Sequence, residues 1–435
     1  MIERINIYKA FLHTLFLSNI SRVLLLLSGI VIARSLGPDG RGDIAMIIAT
    51  ISILSIFGSI VNGANEILMG EANERQKPLV RQTILWSGLL ALFVAIIIVS
   101  VPDTVLIYIF GSSNDKLQYL FPLLFFFFVA EEGVRRILLA KQDFKYINNV
   151  QALSTTFYVL SILILIGVFN FEVFAVILIY IMQQFLTFTA YLIRINSMQP
   201  PLVNKSLKGS LLKKAVPIGT RSLLLGVPTL LLLQSDILLI KYFTNSISVG
   251  LYQVSVSISM LVLMVSRILS TIIRSKAVSE RDGYSSTLLI AKIYAVFAML
   301  IVILFYFFGE SLILILFGDV FSDSYLPALI LFVGNVFWGY GDTLVGYIVA
   351  KYRYPIFISI GFNFAFIINI VLNVLLIPVY GFIVAAWSSL VAYIIMSIVC
   401  GYRFKLISNT TIKKLIWFDL HEINKIRQLL GKKNV

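Results

Sequence analysis

The sequence predicts an all-α polytopic membrane protein, with twelve transmembrane helices in two parallel six-helix repeats. Three observations carry this: an apolar composition, an alternating placement of positive charge, and an internal repeat of about 208 residues. Of the 435 residues, 59% are hydrophobic and 13% charged, and the mean hydropathy is +0.95. A soluble chain carries roughly 25% charged residues, about twice as many. Apolar windows of about 20 residues, the length needed to cross a hydrocarbon layer of ~30 Å, fall at 11–34, 43–69, 79–101, 117–140, 148–168, 172–193, 214–241, 248–273, 286–308, 325–350, 355–377 and 381–402.

Charge tests this division. Every second inter-span segment is basic: the N-terminus (Arg4, Lys9), then the loops carrying Arg75 and Lys77, Lys141 and Lys145, Lys205 and Lys208, Arg274 and Lys276, and Lys351 and Arg353, and finally the tail. Together these hold 27 of the 35 lysines and arginines, against four (Arg34, Arg41, Lys116 and Lys241) in the intervening loops. Basic loops stay cytoplasmic, so both termini are expected inside. A missed or invented span would scramble the alternation.

The repeat is visible in three places. Ile109-Phe110-Gly111 answers Leu316-Phe317-Gly318, Ala140-Lys141 answers Ala350-Lys351, and Gly42 answers Gly250, at offsets of 207, 210 and 208. Six spans per repeat is even, so the halves share orientation and are expected to pack about an axis normal to the membrane, with the substrate path between them. The expected organisation is an N-terminal repeat at 1–195, a cytoplasmic linker at 196–213, a C-terminal repeat at 214–402 and a basic tail at 403–435. Ile412, Ile416, Leu420, Ile423, Ile426 and Leu430 recur in the tail at helical spacing among lysines and arginines. That pattern fits a helix lying on an anionic leaflet, or a solvated basic tail.

Composition also excludes. A single cysteine, Cys400, leaves no disulfide framework, and two unaccompanied histidines, His13 and His421, make a zinc enzyme a poor fit; no cofactor is expected. The N-terminus lacks a short apolar core with a cleavage site and reads as retained rather than as a cleaved signal peptide. The net charge of +14 is accounted for by orientation-setting loops and does not call for nucleic acid. The loops expected outside are too short for a catalytic domain.

The stretch Asn19 to Met46, NISRVLLLLSGIVIARSLGPDGRGDIAM, organises the rest. Arg22 stands about 11 residues, or roughly 16 Å, into the first span. A charge there costs a few kcal/mol or more unless it faces protein or water, which makes it a functional candidate. Arg221 in span 7 and Arg267 in span 8 are the other buried-span arginines, and Lys292 lies early in span 9. Guanidinium groups bind phosphate oxygens in pairs and stay charged in a low dielectric, so Arg22, Arg221 and Arg267 are candidate substrate-binding residues for an anionic, phosphate-bearing cargo. Snorkelling to the cytoplasmic interface is the alternative for Arg221, Arg267 and Lys292. Among the acids, Glu66, Glu132, Asp236 and Asp342 are candidates for coupling to a proton or sodium gradient. Glu132 and Asp342 are repeat mates, offset by 210. Pairing with Arg135 or Arg136 at helical spacing is the alternative for Glu131 and Glu132. Pro217, Gly219, Gly226 and Pro228 in span 7 mark either a bendable helix or a line of close packing. The run Phe125 to Phe128 reads as lipid-facing or packed bulk.

Three stretches then resemble a known family. The loop Ala33-Arg34-Ser35-Leu36-Gly37-Pro38-Asp39-Gly40-Arg41-Gly42 is similar to an ARxLGPxGxG pattern. Ser235-Asp236-Ile237-Leu238 before Gly250-Leu251-Tyr252, and Asn369, Asn373 and Leu376-Ile377-Pro378-Val379-Tyr380-Gly381 follow in the right order. The chain resembles the polysaccharide (Wzx-like) flippases of the multidrug/oligosaccharidyl-lipid/polysaccharide (MOP) exporter superfamily. Arg41 departs from the pattern, where an aromatic residue is common. The resemblance implies a MATE-like fold with spans 1, 2, 7 and 8 lining a central cleft. It also implies a multi-pass protein of the bacterial cytoplasmic membrane that moves an undecaprenyl-diphosphate-linked oligosaccharide outward, with polymerase or assembly proteins as partners. The rival functions are a drug or cation antiporter of the same superfamily, a membrane polysaccharide polymerase and a major-facilitator sugar porter. A cationic cleft argues against the first, the lack of a large outer loop against the second, and the absence of an Asp-Arg-x-Gly pattern between spans 2 and 3 against the third.

Overall fold

A computed structural model describes residues 2–71, 76–102, 106, 109–110, 117–169, 171–198, 211–279, 283–351, 356–419 and 422. The described residues are helical almost throughout. The elements are α1 (Ile2–Glu71), α2 (Gln76–Ser100), α3 (Leu117–Ala140), α4 (Phe144–Leu165), α5 (Val173–Ser197), α6 (Leu211–Phe243), α7 (Ser246–Ser279), α8 (Gly283–Phe317), a 3-10 turn (Asp319–Ser324), α9 (Tyr325–Lys351), α10 (Ile356–Tyr380), α11 (Ile383–Ser408) and the short α12 (Ile412–Ile416). Each of the twelve expected spans falls on one of these helices. The first two share α1, which breaks at Gly37, whose φ is 69°. That left-handed backbone is open to glycine, and Pro38 follows it, so two arms form at the LGPDG turn. Nine helices among the described residues are long and apolar enough to cross a membrane, α1 counting as one. The Gly111 marker and most of the linker lie outside the described residues, as does the tail beyond Asp419 except Glu422.

By contact the chain forms two compact units, Met1–Gln253 and Val254–Val435. The division falls inside α7, so α6, the first helix of the second repeat, belongs to the first unit. In that unit α1 packs on α3, α4 and α6, and α3 packs on α2 and α5. Its core joins Ile32, Ile47, Phe121, Phe125, Ile162 and Ile177. The Phe125–Phe128 run is packed bulk: Phe125 is buried, and Phe127 meets Phe185 edge-on with ring centres 5.3 Å apart. In the second unit α9 is the central helix, packed on α8 and α11, with α10 against α11. The C-terminal half of α7 joins it through Asn335, whose amide donates to the Ser259 carbonyl at 2.8 Å.

Candidate functional site

The candidate site grows from the turn at Gly37. Downstream of it, Gly42 meets the start of α7 so closely that an added Cβ would overlap the Ser246 carbonyl oxygen. Gly250 meets the turn in the same way, against the Pro38 carbonyl oxygen. The pairs are reciprocal, because Pro38 and Ser246, like Gly42 and Gly250, differ by 208. The two repeat-related hairpins therefore clasp each other backbone to backbone, which only residues without a Cβ allow.

Charge seals the same contact. Asp43 is buried and accepts a hydrogen bond from the Ser246 hydroxyl at 2.7 Å. Lys241, at the end of α6, lies 3.5 Å from the same carboxylate oxygen and also donates to Ser246 Oγ. The Asp43 and Lys241 side chains are only 5% and 10% exposed. A buried pair of this kind holds only while both partners are present. Sixteen residues before Tyr252, Asp236 is buried and accepts the Tyr252 hydroxyl at 2.6 Å, tying α6 to α7 one layer deeper.

The other end of the α1–α6 seam is closed as well. An added Cβ at Gly219 would overlap the Ile60 carbonyl oxygen, and Ala215 is buried beside Ala64, Leu68 and Val134. Of the two readings of the glycines in span 7, close packing holds at Gly219.

The sequence-derived candidates fall as follows. Arg22 is half-buried on the first arm of α1, fifteen residues, or about 22 Å, from the break at Gly37. Arg221 has its backbone in α6, and its side chain lies outside the described residues. Arg267 is exposed on α7, in the second unit. Glu66 is exposed on the second arm of α1 and Asp342 half-buried on α9. The Asp342 backbone carbonyl accepts the Ser270 hydroxyl at 3.1 Å. Glu132 is held by Arg136 through two hydrogen bonds, of 3.1 and 2.8 Å, and Arg135 lies 3.6 Å from Glu131; the helical pairing is thus present. Lys292 does not snorkel. It is buried and paired with Glu422 at 2.7 Å.

Three features escaped the sequence reading. Lys241, counted among outer-loop charges, is part of the buried clasp. Arg41, expected in the outer turn, folds back along α1 so that its guanidinium lies against Gly29, with Nη2 3.4 Å from where a Cβ would stand. Asn369 and Asn373, noted only as part of a family pattern, form a buried polar cluster between α10 and α11. Ser388 donates to Asn373 at 2.5 Å, and Asn369 donates to Asn373's neighbours Ser388 and Ser389 at 3.2 and 3.4 Å. Among the described residues there is no group of three or more His, Cys, Asp or Glu side chains that could hold a metal ion.

With this geometry in hand, comparison with known proteins is informative. No curated protein sequence matches the chain. Among solved structures, it is similar to the lipid II flippase MurJ in an inward closed conformation, with a TM-score of 0.73 and 14% identity over 97% of this chain and 92% of that one. It is similar to an inward-facing multidrug resistance MATE family transporter of the MOP superfamily (TM-score 0.60, 13% identity, 90% and 96% covered). It is also similar to the eukaryotic MATE transporter AtDTX14 (TM-score 0.58, 13% identity, 97% and 98% covered). At these identities the likeness speaks for the fold, which is MATE-like. The family model described as "polysaccharide biosynthesis protein" matches residues 31–326, a stretch that contains both clasped hairpins. The chain therefore belongs to the polysaccharide biosynthesis protein family.

Proposed function

We propose that this protein is a flippase, not an enzyme, which moves an undecaprenyl-diphosphate-linked oligosaccharide repeat unit from the inner to the outer leaflet of the bacterial cytoplasmic membrane. The observation that carries the reading is Arg22: a permanent cation, half-buried about 22 Å along a membrane arm from its break, in a chain of a polysaccharide biosynthesis family. A guanidinium there can bind a diphosphate through paired N–H···O bonds in a medium where the attraction is strong. Arg221 and Arg267 are its proposed companions. Likeness to a lipid II flippase supports a lipid-linked cargo, with the lipid tail remaining in the bilayer.

The closed α1–α6 seam suits alternating access. In the proposed cycle its two ends open in turn. Opening the clasp parts Asp43 from Lys241 and Ser246, and Gly42 and Gly250 from their carbonyl partners; opening the other end parts Gly219 from Ile60. The charge count supports a clasp on the outer side and both termini inside. Glu66, Asp236, Asp342 and Glu132 are the candidates through which a proton or sodium gradient would drive the cycle. Polymerase or assembly proteins would receive the product.

The test replaces Arg22, Arg221 and Arg267 together by Ala and follows glycan display outside the cell at matched protein levels. Display is expected to fall at least tenfold; normal display would sink the diphosphate role. Likeness to multidrug transporters favours one second reading, an antiporter of drugs or cations, against which the arginines argue. Drug efflux that survives the triple substitution would favour that reading.

A further inference from the structure

The tail supplies an observation that transport leaves unused. Helix α11 ends at Ser408, Asn409 turns the chain with a left-handed φ of 50°, and α12 begins at Ile412. A segment that starts so soon after a membrane span must run at the level of the lipid headgroups. Its two sides differ sharply. On the inner side Leu415 is buried beside Ile273, Leu288 and Phe404, and its carbonyl accepts the Tyr340 hydroxyl at 2.7 Å. Lys292 Nζ donates to the Trp417 carbonyl at 2.8 Å and to Glu422 at 2.7 Å, and lies 5.4 Å from the centre of the Phe418 ring. Asp419 and Glu422 are joined reciprocally, each side chain accepting from the other's backbone N–H, at 2.8 and 3.0 Å. On the outer side Ile412, Ile416 and Trp417 are 59%, 64% and 68% exposed, with Lys413 and Lys414 exposed between them.

We propose that residues 411–419 are a membrane-interface strap, latched within the second unit by the Lys292–Glu422 pair and resting its outer side on anionic phospholipid headgroups. The exposed set is the chemistry of that layer: Trp and Ile enter the acyl boundary, while two ammonium groups meet lipid phosphates. The latch is of the all-or-none kind. With side chains 2% and 6% exposed, loss of either charge leaves the other uncompensated in a dry interior, and the strap, being next to water, can leave. The sequence alone left open a helix on an anionic leaflet or a solvated basic tail; the docked inner side makes the segment part of the second unit.

The test uses the full chain in nanodiscs of phosphatidylcholine, alone or with phosphatidylglycerol, and lipids brominated near the headgroup as quenchers. The Trp417 signal is the difference between the parent and Trp417→Phe. Its quenching is expected to be at least twofold stronger with phosphatidylglycerol, and that difference to vanish in Lys413→Gln/Lys414→Gln. No quenching, or quenching indifferent to phosphatidylglycerol and to the two lysines, would overturn the lipid contact. Tryptic cleavage at Lys413 and Lys414 reads the latch. Lys292→Met is expected to speed it at least tenfold, and the exchange Lys292→Glu/Glu422→Lys to restore protection. Glu422→Gln, a change beyond the spans, gives the same reading should Lys292→Met fail to fold. Unchanged cleavage in Glu422→Gln would overturn the latch.

Discussion

Adding one methyl group at Gly42 is the sharpest probe of the clasp. In Gly42→Ala the new Cβ would overlap the Ser246 carbonyl oxygen and stand 2.7 Å from its carbon. Ordinary carbon–carbon contacts are about 3.5–4.0 Å, so the hairpins must part by about 1 Å. Overpacking of this size costs about 1–3 kcal/mol. Charged to the closed clasp alone, that raises the open fraction by about 5–150-fold. Val249, fully buried in the first turn of α7, is a reporter position. With the buried Cys400 replaced by Ala and Val249→Cys introduced, a membrane-impermeant maleimide should label Gly42→Ala at least fivefold faster than its parent. Asp39→Ala, a change to an exposed residue of the same turn, should leave the rate alone. Labelling within twofold of the parent, with thermal stability unchanged, would refute the claim that backbone contact at Gly42 holds the hairpins together.

Other outcomes follow from the same geometry. Asp43→Leu and Lys241→Met should each cost about 3–5 kcal/mol by stranding the partner's charge, whereas the double substitution should recover most of the loss; denaturation in detergent measures the cycle. Glu132→Gln breaks a pair whose side chains are 30% and 16% exposed, worth about 0.3–0.5 kcal/mol at this helical spacing. Its melting temperature should hardly move, so a large fall in glycan display at matched protein levels would mark Glu132 as a coupling residue, and unchanged display would assign it to structure. Asn369→Leu removes a donor from buried Ser388 and Ser389, and should cost about 1–3 kcal/mol in thermal unfolding.

The span pattern was legible because a lipid solvent imposes it. Every backbone polar group crossing the bilayer must be satisfied within its own helix, so runs of about 20 apolar residues translate directly into helices. Gly37-Pro38 announced the break in α1, since a left-handed residue before a proline cannot continue a straight helix. One pair of the 208-residue repeat, Gly42 and Gly250, matched only as letters in the sequence, and in the structure the two residues touch. Side-chain destinations were less legible. Arg41 and Lys241 sit in what the sequence marks as loops, yet long stems carry their charges inward. Lys292 looked like a snorkelling residue because its acid partner lies 130 residues away.

The sequence by itself determined that this is an all-α membrane protein of repeated spans carrying arginines inside them, because hydropathy and charge placement act along the chain and are read one segment at a time. Tertiary structure alone decided that Gly42 and Gly250 interlock, that Asp43 is answered by Lys241 and Ser246, and that Glu422 returns to Lys292. These contacts join residues distant in sequence, and their energy depends on burial and on distances of a few ångströms, which no local pattern encodes.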